Sequence, residues 1–329
     1  MTDADAQMAS APRIILHNDK TQALAARLAE AHPDVQIAQC NSYSALPALI
    51  TDFRPHIVYA VRFDGTPGYP SEALLGPDGP AWLANGGVGT DHLGHWDRDR
   101  ITVTNAAGVA AGMMAEYILG CFLNFTLDLP GLRADQKAHR WRSRYVRPLA
   151  GQTLLIIGLG QTGTALAARA KAFGMTIIGT RASPRAMEHV DEVHASDTLA
   201  DLLPRADFVA LCTPLIPATH GLVGAAECAA MKPGVVLADV SRGGVLDHSA
   251  LIPALRSGRV AGAALDVFEA EPLPPDHPLW DEPNVIISPH CSSVYPGWED
   301  ASFELFLHNL QRWKLGKPLI NVVDPDKGY

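Results

Sequence analysis

The sequence predicts an α/β protein made of two domains, each built on a parallel sheet. Its 329 residues suffice for two domains of ordinary size, and an apolar content of 47% is enough for two cores. Short apolar runs alternate with helical patterns before residue 105, and the alternation starts again at Thr153. A glycine-rich turn follows the first run of the second series. These observations favour doubly wound domains of the Rossmann or flavodoxin type.

The first series predicts a small sheet with five strands. Helical patterns over residues 20–31 and 45–51 separate the early strands, and the fourth strand leads into Asn85-Gly86-Gly87-Val88-Gly89. Alternation of this kind is typical of a parallel sheet with both faces covered. The predicted strands are Arg13–His17, Val35–Ala38, Ile57–Val61, Ala81–Ala84 and Ile101–Thr104.

The segment between the two series is predicted to be helical and then irregular. Residues 110–127 form an apolar run on all sides of a helix, which is typical of burial inside a domain or at a subunit contact. Residues 129–149 combine Trp141 with several arginines. Two interpretations of this second stretch stay open, a solvated connector and a dimer arm.

The second series predicts a seven-stranded doubly wound sheet. A final helix over residues 298–315 carries its apolar side chains on one stripe, so we expect it to return and pack on the first domain. The predicted organisation is a catalytic, substrate-binding domain of residues 1–105 plus 296–329, and a dinucleotide-binding domain of residues 106–295. The predicted strands are Leu154–Ile157, Thr176–Gly179, Glu192–His194, Phe208–Cys212, Val235–Asp239, Val260–Leu265 and Val285–Ile287.

The charge balance and the cysteines limit the classes of function. A net charge of −9 and a pI of about 5.8 disfavour nucleic acid and anionic membranes as partners. Five cysteines without a C-x-x-C pair predict reduced thiols in the cytoplasm. Residues 1–11 lack the apolar core of a secretory signal, and no apolar run reaches the length of a membrane span. No metal site is predicted.

The turn Gly158-Leu159-Gly160-Gln161-Thr162-Gly163 lies between a predicted strand and a predicted helix. In this context G-x-G-x-x-G predicts a dinucleotide site. The first glycine permits the tight turn, the second lets the backbone approach a pyrophosphate, and the third lets helix and strand pack closely. The start of the helix offers free N–H groups to the anion.

Four sequence blocks together resemble the D-isomer-specific 2-hydroxyacid dehydrogenase family, and within it the glyoxylate/hydroxypyruvate reductases. The match covers nearly the whole chain after about residue 80. The resemblance implies two domains with an active-site cleft between them, and dimers built largely from the nucleotide domains. The blocks are Gly87-Val88-Gly89-Thr90-Asp91-His92-Leu93, the turn at Gly158, Ser241-Arg242-Gly243-Gly244 with Leu265-Asp266-Val267-Phe268-Glu269-Ala270-Glu271-Pro272, and Ser288-Pro289-His290.

Three of these residues have the chemistry of keto-acid reduction. The imidazole of His290 can protonate a ketone oxygen as hydride arrives. Glu271 can hold the ring tautomer; Glu269 is the rival, and the resemblance selects Glu271 because it directly precedes Pro272 and Leu273. Arg242 follows a buried strand and can bind the substrate carboxylate and polarise the carbonyl. The alternatives are a polar loop cap for the histidine and plain surface charges for the other two.

Further contacts are implied by the resemblance. Gly87, Val88 and Gly89 would offer backbone N–H groups to the carboxylate, although an ordinary turn would use the same glycines. Asp266 would accept a hydrogen bond from the nicotinamide amide. The side group of the substrate stays unassigned, with Arg62, Phe63, Tyr295 and Trp298 as candidate walls and Trp141 as a candidate from a partner subunit. The cofactor-binding residues are predicted to be Gly158, Gly160, Gln161, Thr162, Gly163, Arg181, Ser183, Arg185, Cys212, Thr213, Pro214, Val240, Asp266 and His290.

Arg181 stands where an NAD site carries an acid for the ribose hydroxyl. Together with Ser183 and Arg185 it would pair with a 2′-phosphate, so the sequence predicts NADP(H) over NAD(H). The alternative is that both arginines are exposed loop charges and NAD binds through its diphosphate alone.

The predicted function is NADPH-dependent reduction of a short 2-keto acid, glyoxylate or hydroxypyruvate, to the D-2-hydroxy acid. One alternative is a nicotinamide-sensing binding protein similar to the corepressors that share this fold. The others are further activities of the family, namely 3-phosphoglycerate, formate or phosphite dehydrogenation. We expect a homodimer and neither a nucleic-acid nor a membrane partner.

Overall fold

A computed structural model describes residues 11–63 and 66–327. The predicted absence of a secretory signal concerns residues 1–11, of which residues 1–10 lie outside the described part. The chain divides into two compact units, Met1–Val109 with Pro296–Tyr329, and Ala110–Tyr295. The strands are β1 (Arg13–His17), β2 (Gln36–Cys40), β3 (Ile57–Ala60), β4 (Trp82–Asn85), β5 (Thr102–Thr104), β6 (Thr153–Ile157), β7 (Thr176–Thr180), β8 (Glu192–His194), β9 (Phe208–Leu211), β10 (Val235–Asp239), β11 (Val260–Leu265) and β12 (Val285–Ile287).

The helices confirm the long elements and add short ones that the sequence did not predict. The additions are α3, α7 and α8, which have four to six residues each. So few residues show no helical period. The helices are α1 (Thr21–Ala31), α2 (Leu46–Phe53), α3 (Ser71–Leu75), α4 (Ala111–Thr126), α5 (Leu129–Lys137), α6 (Gln161–Ala172), α7 (Leu199–Leu202), α8 (Ala225–Ala230), α9 (His248–Arg256) and α10 (Trp298–Lys314).

The first unit contains a five-stranded sheet in the order β2-β1-β3-β4-β5, and all pairs are parallel. Successive residues of β1 enter different cores, since Ile15 lies in the cluster on one face and Ile14 and Leu16 in the cluster on the other. Both faces are therefore covered, as predicted for a parallel sheet. The last helix, α10, belongs to this unit and packs Phe303 against Tyr59 with ring centroids 5.3 Å apart.

The second unit contains a seven-stranded parallel sheet in the order β12-β11-β10-β9-β6-β7-β8. The chain starts at β6, adds β7 and β8 on one side, and then crosses to β9 on the other. The order reverses between β6 and β9, and sheets of this kind bind ligands at the carboxyl ends of the strands beside that reversal. The predicted α/β fold is confirmed, and this edge of the sheet holds most of the candidate site.

The helix between the two sheets has buried and exposed faces. The face of α4 that carries Ile118 and Phe122 is fully buried, whereas Glu116 and Gly120 are exposed in the single chain, so burial at a subunit contact stays a prediction. After α5, Trp141 is fully exposed. The neighbouring arginines are not simply solvated, because Arg140, Arg142 and Arg144 all pair with the buried carboxylate of Asp135.

Within residues 11–63 and 66–327, no helix combines the length and the apolar character that crossing a membrane requires.

Candidate active site

The glycine-rich turn connects β6 to α6. Gly158 has a φ of +102°, and a Cβ there would lie 2.9 Å from the backbone of Cys212 and Thr213. A Cβ on Gly163 would lie 2.2 Å from the carbonyl oxygen of Gly158. Packing therefore requires the first and third glycines. Gly160 differs, because a Cβ there would meet nothing within 4 Å, and α6 begins after it without a side-chain cap. Open space beside uncapped N–H groups suits a pyrophosphate.

The residues after β9 lie next to this turn. Cys212, Thr213 and Pro214 are partly exposed at the carboxyl end of the strand. Burial raises the pKa of the Cys212 thiol, so this thiol stays protonated and is no nucleophile. Val240, after β10, is 3% exposed and packs in the core.

The loop after β7 carries the residues predicted to select the cofactor. Arg181 directly follows the strand, and its backbone N–H donates to the carbonyl of His194. The Arg181 guanidinium lies 3.3 Å from the sulfur of Met187, and Ser183 and Arg185 are exposed. In the described part of the chain, neither arginine forms an ion pair with a carboxylate. The turn–helix start and the β9 edge together fit a dinucleotide, and the basic loop lies after the next strand, β7.

The turn after β10 positions Arg242. Oδ1 of Asp239 accepts hydrogen bonds from the N–H of Ser241 at 2.9 Å and from its hydroxyl at 2.5 Å. The half-buried guanidinium of Arg242 donates to the Ser241 carbonyl at 2.7 Å. A Cβ on Gly243 would lie 2.0 Å from the carbonyl oxygen of Phe268. Only glycine therefore lets the arginine turn pack against the segment that follows β11.

That same segment carries Glu271, which contacts His290. Nδ1 of His290 lies 2.9 Å from Oε2 of Glu271, and the Phe268 N–H donates to Oε1 at 3.0 Å. A carboxylate only accepts, so Nδ1 carries the proton and Nε2 is left for a ligand. The imidazole is 41% exposed and its residue has a φ of +50°, a sparsely populated conformation. Glu269, the rival acid, is exposed.

Asp266 ends β11 and holds the histidine loop, which we define as residues 288–292. Its Oδ1 accepts from the hydroxyl of Ser288 at 2.5 Å and from the N–H of Cys291 at 2.8 Å. Its Oδ2 accepts from the N–H of Ser292 at 3.0 Å. The two oxygens offer about four acceptor sites, so these contacts leave one for a bound amide. The carboxylate is 1% exposed, and these three donors stabilise its charge.

In the first unit, the Gly87–Gly89 turn follows β4. Its three carbonyl groups are all occupied: Asn85 Nδ2 donates to those of Gly87 and Gly89, and Asn105 Nδ2 donates to that of Val88. These hydrogen bonds fix the conformation of the turn. The sequence drew attention to the glycines but missed the two asparagines, because amide orientation depends on the folded turn.

The candidate wall residues have different environments. Phe63 stacks on Tyr43 with centroids 4.8 Å apart and lies 4.7 Å from the ring of His17. Burial lowers the pKa of His17 to about 4, so this imidazole is neutral. Arg62 is exposed, and Tyr295 and Trp298 are partly exposed. The sequence did not indicate the aromatic stack around His17.

Asp239 predicts a pH-dependent effect on stability. Its Oδ2 is buried without a partner among the described residues, and burial, reinforced by Asp266, raises its pKa from 3.8 to about 7. A raised pKa means that the folded state gains stability from protonation, and that this gain is lost as the pH rises through about 7. Asp239→Asn should therefore be more stable than the wild type at alkaline pH, by a few kcal/mol, since one pKa unit is worth about 1.4 kcal/mol.

Urea unfolding at acidic, neutral and alkaline pH measures this effect. The advantage of Asp239→Asn should shrink towards acidic pH, whereas Asp276→Asn, at an exposed position, should follow the wild type throughout. An Asp239→Asn variant that is destabilised equally at every pH contradicts the prediction.

A glycine turn at the reversal of a parallel sheet, followed by a braced imidazole and an arginine turn, defines an α/β nucleotide-dependent oxidoreductase. Sequence comparison agrees, because the model of the D-isomer specific 2-hydroxyacid dehydrogenase NAD-binding domain matches residues 119–292. The glyoxylate reductase of Thermococcus gammatolerans is 35% identical over 247 residues, covering 71% of this chain and 73% of that protein. The chain belongs to the D-isomer-specific 2-hydroxyacid dehydrogenase family of NAD(P)-dependent oxidoreductases.

Other relatives have related activities or ligands. The D-3-phosphoglycerate dehydrogenase of Methanocaldococcus jannaschii is 35% identical over 249 residues, which are 74% of this chain but only 47% of that protein. A family structure from Xanthobacter autotrophicus, in complex with NADPH and MES, has 30% identity and a TM-score of 0.82 over 97% of this chain and all of that one. The NADPH-dependent glyoxylate/hydroxypyruvate reductase of Sinorhizobium meliloti, in complex with NADP and sulfate, has 26% identity and a TM-score of 0.80 over 97% of this chain and 100% of that one.

Proposed function

We propose that this protein reduces a small 2-keto acid of the glyoxylate or hydroxypyruvate type to the D-2-hydroxy acid, using NADPH. One observation carries the proposal: Glu271 braces His290 at 2.9 Å, on a segment against which the Arg242 turn packs through Gly243. Proton donor and carboxylate-binding cation thus belong to one packed region of the second unit.

The residues divide the chemistry between them. The cofactor, with its pyrophosphate held at the glycine turn, would supply hydride from the reduced nicotinamide ring to the keto carbon. Nε2 of His290 donates its proton to the carbonyl oxygen, while Glu271 stabilises the imidazolium before the transfer. Arg242 binds the carboxylate and polarises the carbonyl. The N–H groups of Gly87–Gly89 provide further donors to the substrate carboxylate. Asp266, with its remaining acceptor site, would accept a hydrogen bond from the carboxamide of the nicotinamide.

A panel of keto acids tests this activity. Glyoxylate, hydroxypyruvate, pyruvate and 3-phosphohydroxypyruvate are each mixed with NADPH or NADH, and loss of the reduced-nicotinamide absorbance is followed. We expect turnover with a small keto acid and preference for NADPH. Tight NADPH binding without turnover on any of them contradicts the proposal and favours a nicotinamide-sensing binding protein. Oxidation of formate or phosphite with NADP identifies the other family activities.

Arg181 supports the preference for NADPH, because the loop after β7 presents arginines in place of an acid. Arg181→Asp should lower kcat/KM for NADPH by one to two orders of magnitude, since a hydrogen bond to a charged group contributes about 1.5–3 kcal/mol. The efficiency with NADH should stay the same or rise. Lys317→Asp, the same charge reversal at an exposed position, is the control. A wild type that prefers NADH contradicts this assignment.

We also propose that a second copy of the chain covers the arm formed by α5 and residues 138–148. Leu129 and Leu132 are more than two-fifths exposed, Val146 is half exposed, and Trp141 and Tyr145 are fully exposed. Apolar side chains clustered in this way mark an interface. Trp141→Ala with Tyr145→Ala should convert a dimer to a monomer in light scattering; a monomeric wild type refutes the dimer.

The free cysteines are consistent with a cytoplasmic location.

A further inference from the structure

A line of hydrogen bonds connects helix α4 to the histidine loop. Oη of Tyr117 lies 2.7 Å from Oγ of Ser288, and that hydroxyl lies 2.5 Å from Oδ1 of Asp266. Asp266 in turn accepts two backbone N–H groups of the histidine loop, at 2.8 and 3.0 Å. The line is sheltered from water, because Ser288 is 8% exposed and Asp266 is 1% exposed. None of the roles proposed above for the site residues involves Tyr117.

The chemistry of the three groups fixes the direction of the protons. Asp266 accepts three hydrogen bonds, so it is an acceptor, and the single hydroxyl proton of Ser288 must point to it. The contact between Ser288 and Tyr117 is then a hydrogen bond only if the phenol donates. Burial raises the pKa of Tyr117, so the phenol keeps its proton across the physiological range. Tyr117 is therefore the donor at the head of the line.

The position of the histidine loop depends on this line. Asp266 holds the loop on both sides of the imidazole, through Ser288 before it and through Cys291 and Ser292 after it. His290 has a φ of +50°, which surrounding contacts must maintain. Misplacing a reacting group by about 1 Å can cost about 100-fold in rate, so a small rotation of the carboxylate matters.

We infer that Tyr117 is a positioning residue for proton transfer: its hydroxyl orients Ser288 and Asp266, and through them the loop that carries His290. The inference rests on the proposed keto-acid reductase activity. Tyr117 does not touch the reacting atoms. It contacts neither the glycine turn nor Arg242 through the hydrogen bonds described, so its main effect should appear in the chemical step.

Tyr117→Phe tests the inference, because it removes the donor and keeps the ring. With the keto acid that the wild type reduces best, kcat should fall about fivefold, the scale of one lost hydrogen bond. KM for the keto acid and Kd for NADPH should stay within about twofold. Ser257→Ala removes a hydroxyl at an exposed position of the same unit and should have no effect.

A double-mutant cycle separates positioning from general stabilisation. Because Tyr117 acts through Ser288, Tyr117→Phe added to Ser288→Ala should lower kcat no further than Ser288→Ala alone. Effects that multiply, or a Tyr117→Phe variant with wild-type kcat, overturn the inference. A Tyr117→Phe variant that has a lower Tm and also binds keto acid and NADPH more weakly overturns the inference too, because these changes together indicate a structural role. A wild type that reduces no keto acid refutes the proposed function itself.

Discussion

His290→Ala is expected to lower kcat for keto-acid reduction by about two to four orders of magnitude, the usual contribution of a positioned acid–base group. The physical reason is that the carbonyl oxygen gains negative charge as hydride arrives, and alanine supplies no proton. The imidazole contacts Glu271. The phosphate groups of a dinucleotide would bind elsewhere, at the start of α6, which is a different segment of the chain. NADPH should therefore bind to the variant nearly as well as to the wild type.

Stopped-flow single turnovers and NADPH fluorescence titration measure the two effects separately. His95→Ala is the control, since its side chain is 73% exposed and it belongs to the first unit. Glu271→Gln should give a smaller loss than His290→Ala, because the amide still contacts Nδ1 but cannot stabilise the imidazolium. A His290→Ala variant that keeps more than about a tenth of wild-type turnover means that another group donates the proton.

Arg242→Ala should produce the second large effect, a fall in kcat/KM of about 100- to 1,000-fold, comparable to the loss of an oxyanion donor. Unlike His290→Ala, it should raise KM and lower kcat together, because the guanidinium binds the carboxylate and also polarises the carbonyl. The turn itself should survive, since Asp239 and Ser241 hold it by hydrogen bonds that do not involve the arginine side chain.

Arg242→Lys is the matched control for charge. It should recover only part of the lost efficiency, because an ammonium group binds a carboxylate as a point charge and not in two parallel hydrogen bonds. Steady-state kinetics over a range of keto-acid concentrations measure kcat and KM separately for both variants. A selective fall in kcat with KM unchanged would show that another group binds the carboxylate.

The elements that sequence analysis predicted best are those with a strong local period. β1, β8, β10, β11 and β12 begin and end at the predicted residues. β1, β10 and β11 are largely buried, and their apolar runs have polar residues at their ends. The short helices α3, α7 and α8 were missed because a single turn is stabilised by its neighbours and not by its own pattern.

The residues of the candidate site also divide into those that sequence analysis could identify and those that it could not. Gly158 and Gly163 could be identified from sequence because the positive φ of Gly158 and the close approach of Gly163 to the Gly158 carbonyl both arise within the turn. Gly243 could be singled out, but its purpose could not, since the group that excludes a side chain is the carbonyl of Phe268 on another strand's loop. Tyr117 left no signal, because it acts through a hydrogen bond to Ser288, which only the folded chain brings near.

The sequence by itself determined the two parallel sheets, the glycine turn and the residue types of the acid–base site, because backbone sterics and hydrophobic period are local properties. Tertiary structure alone decided what holds the arginine turn, how the Phe268 N–H fixes the acid that braces the imidazole, and how Asp266 ties the histidine loop to β11. Those contacts join residues from 2 to 26 positions apart, and their geometry depends on how neighbouring strands place their carboxyl ends side by side.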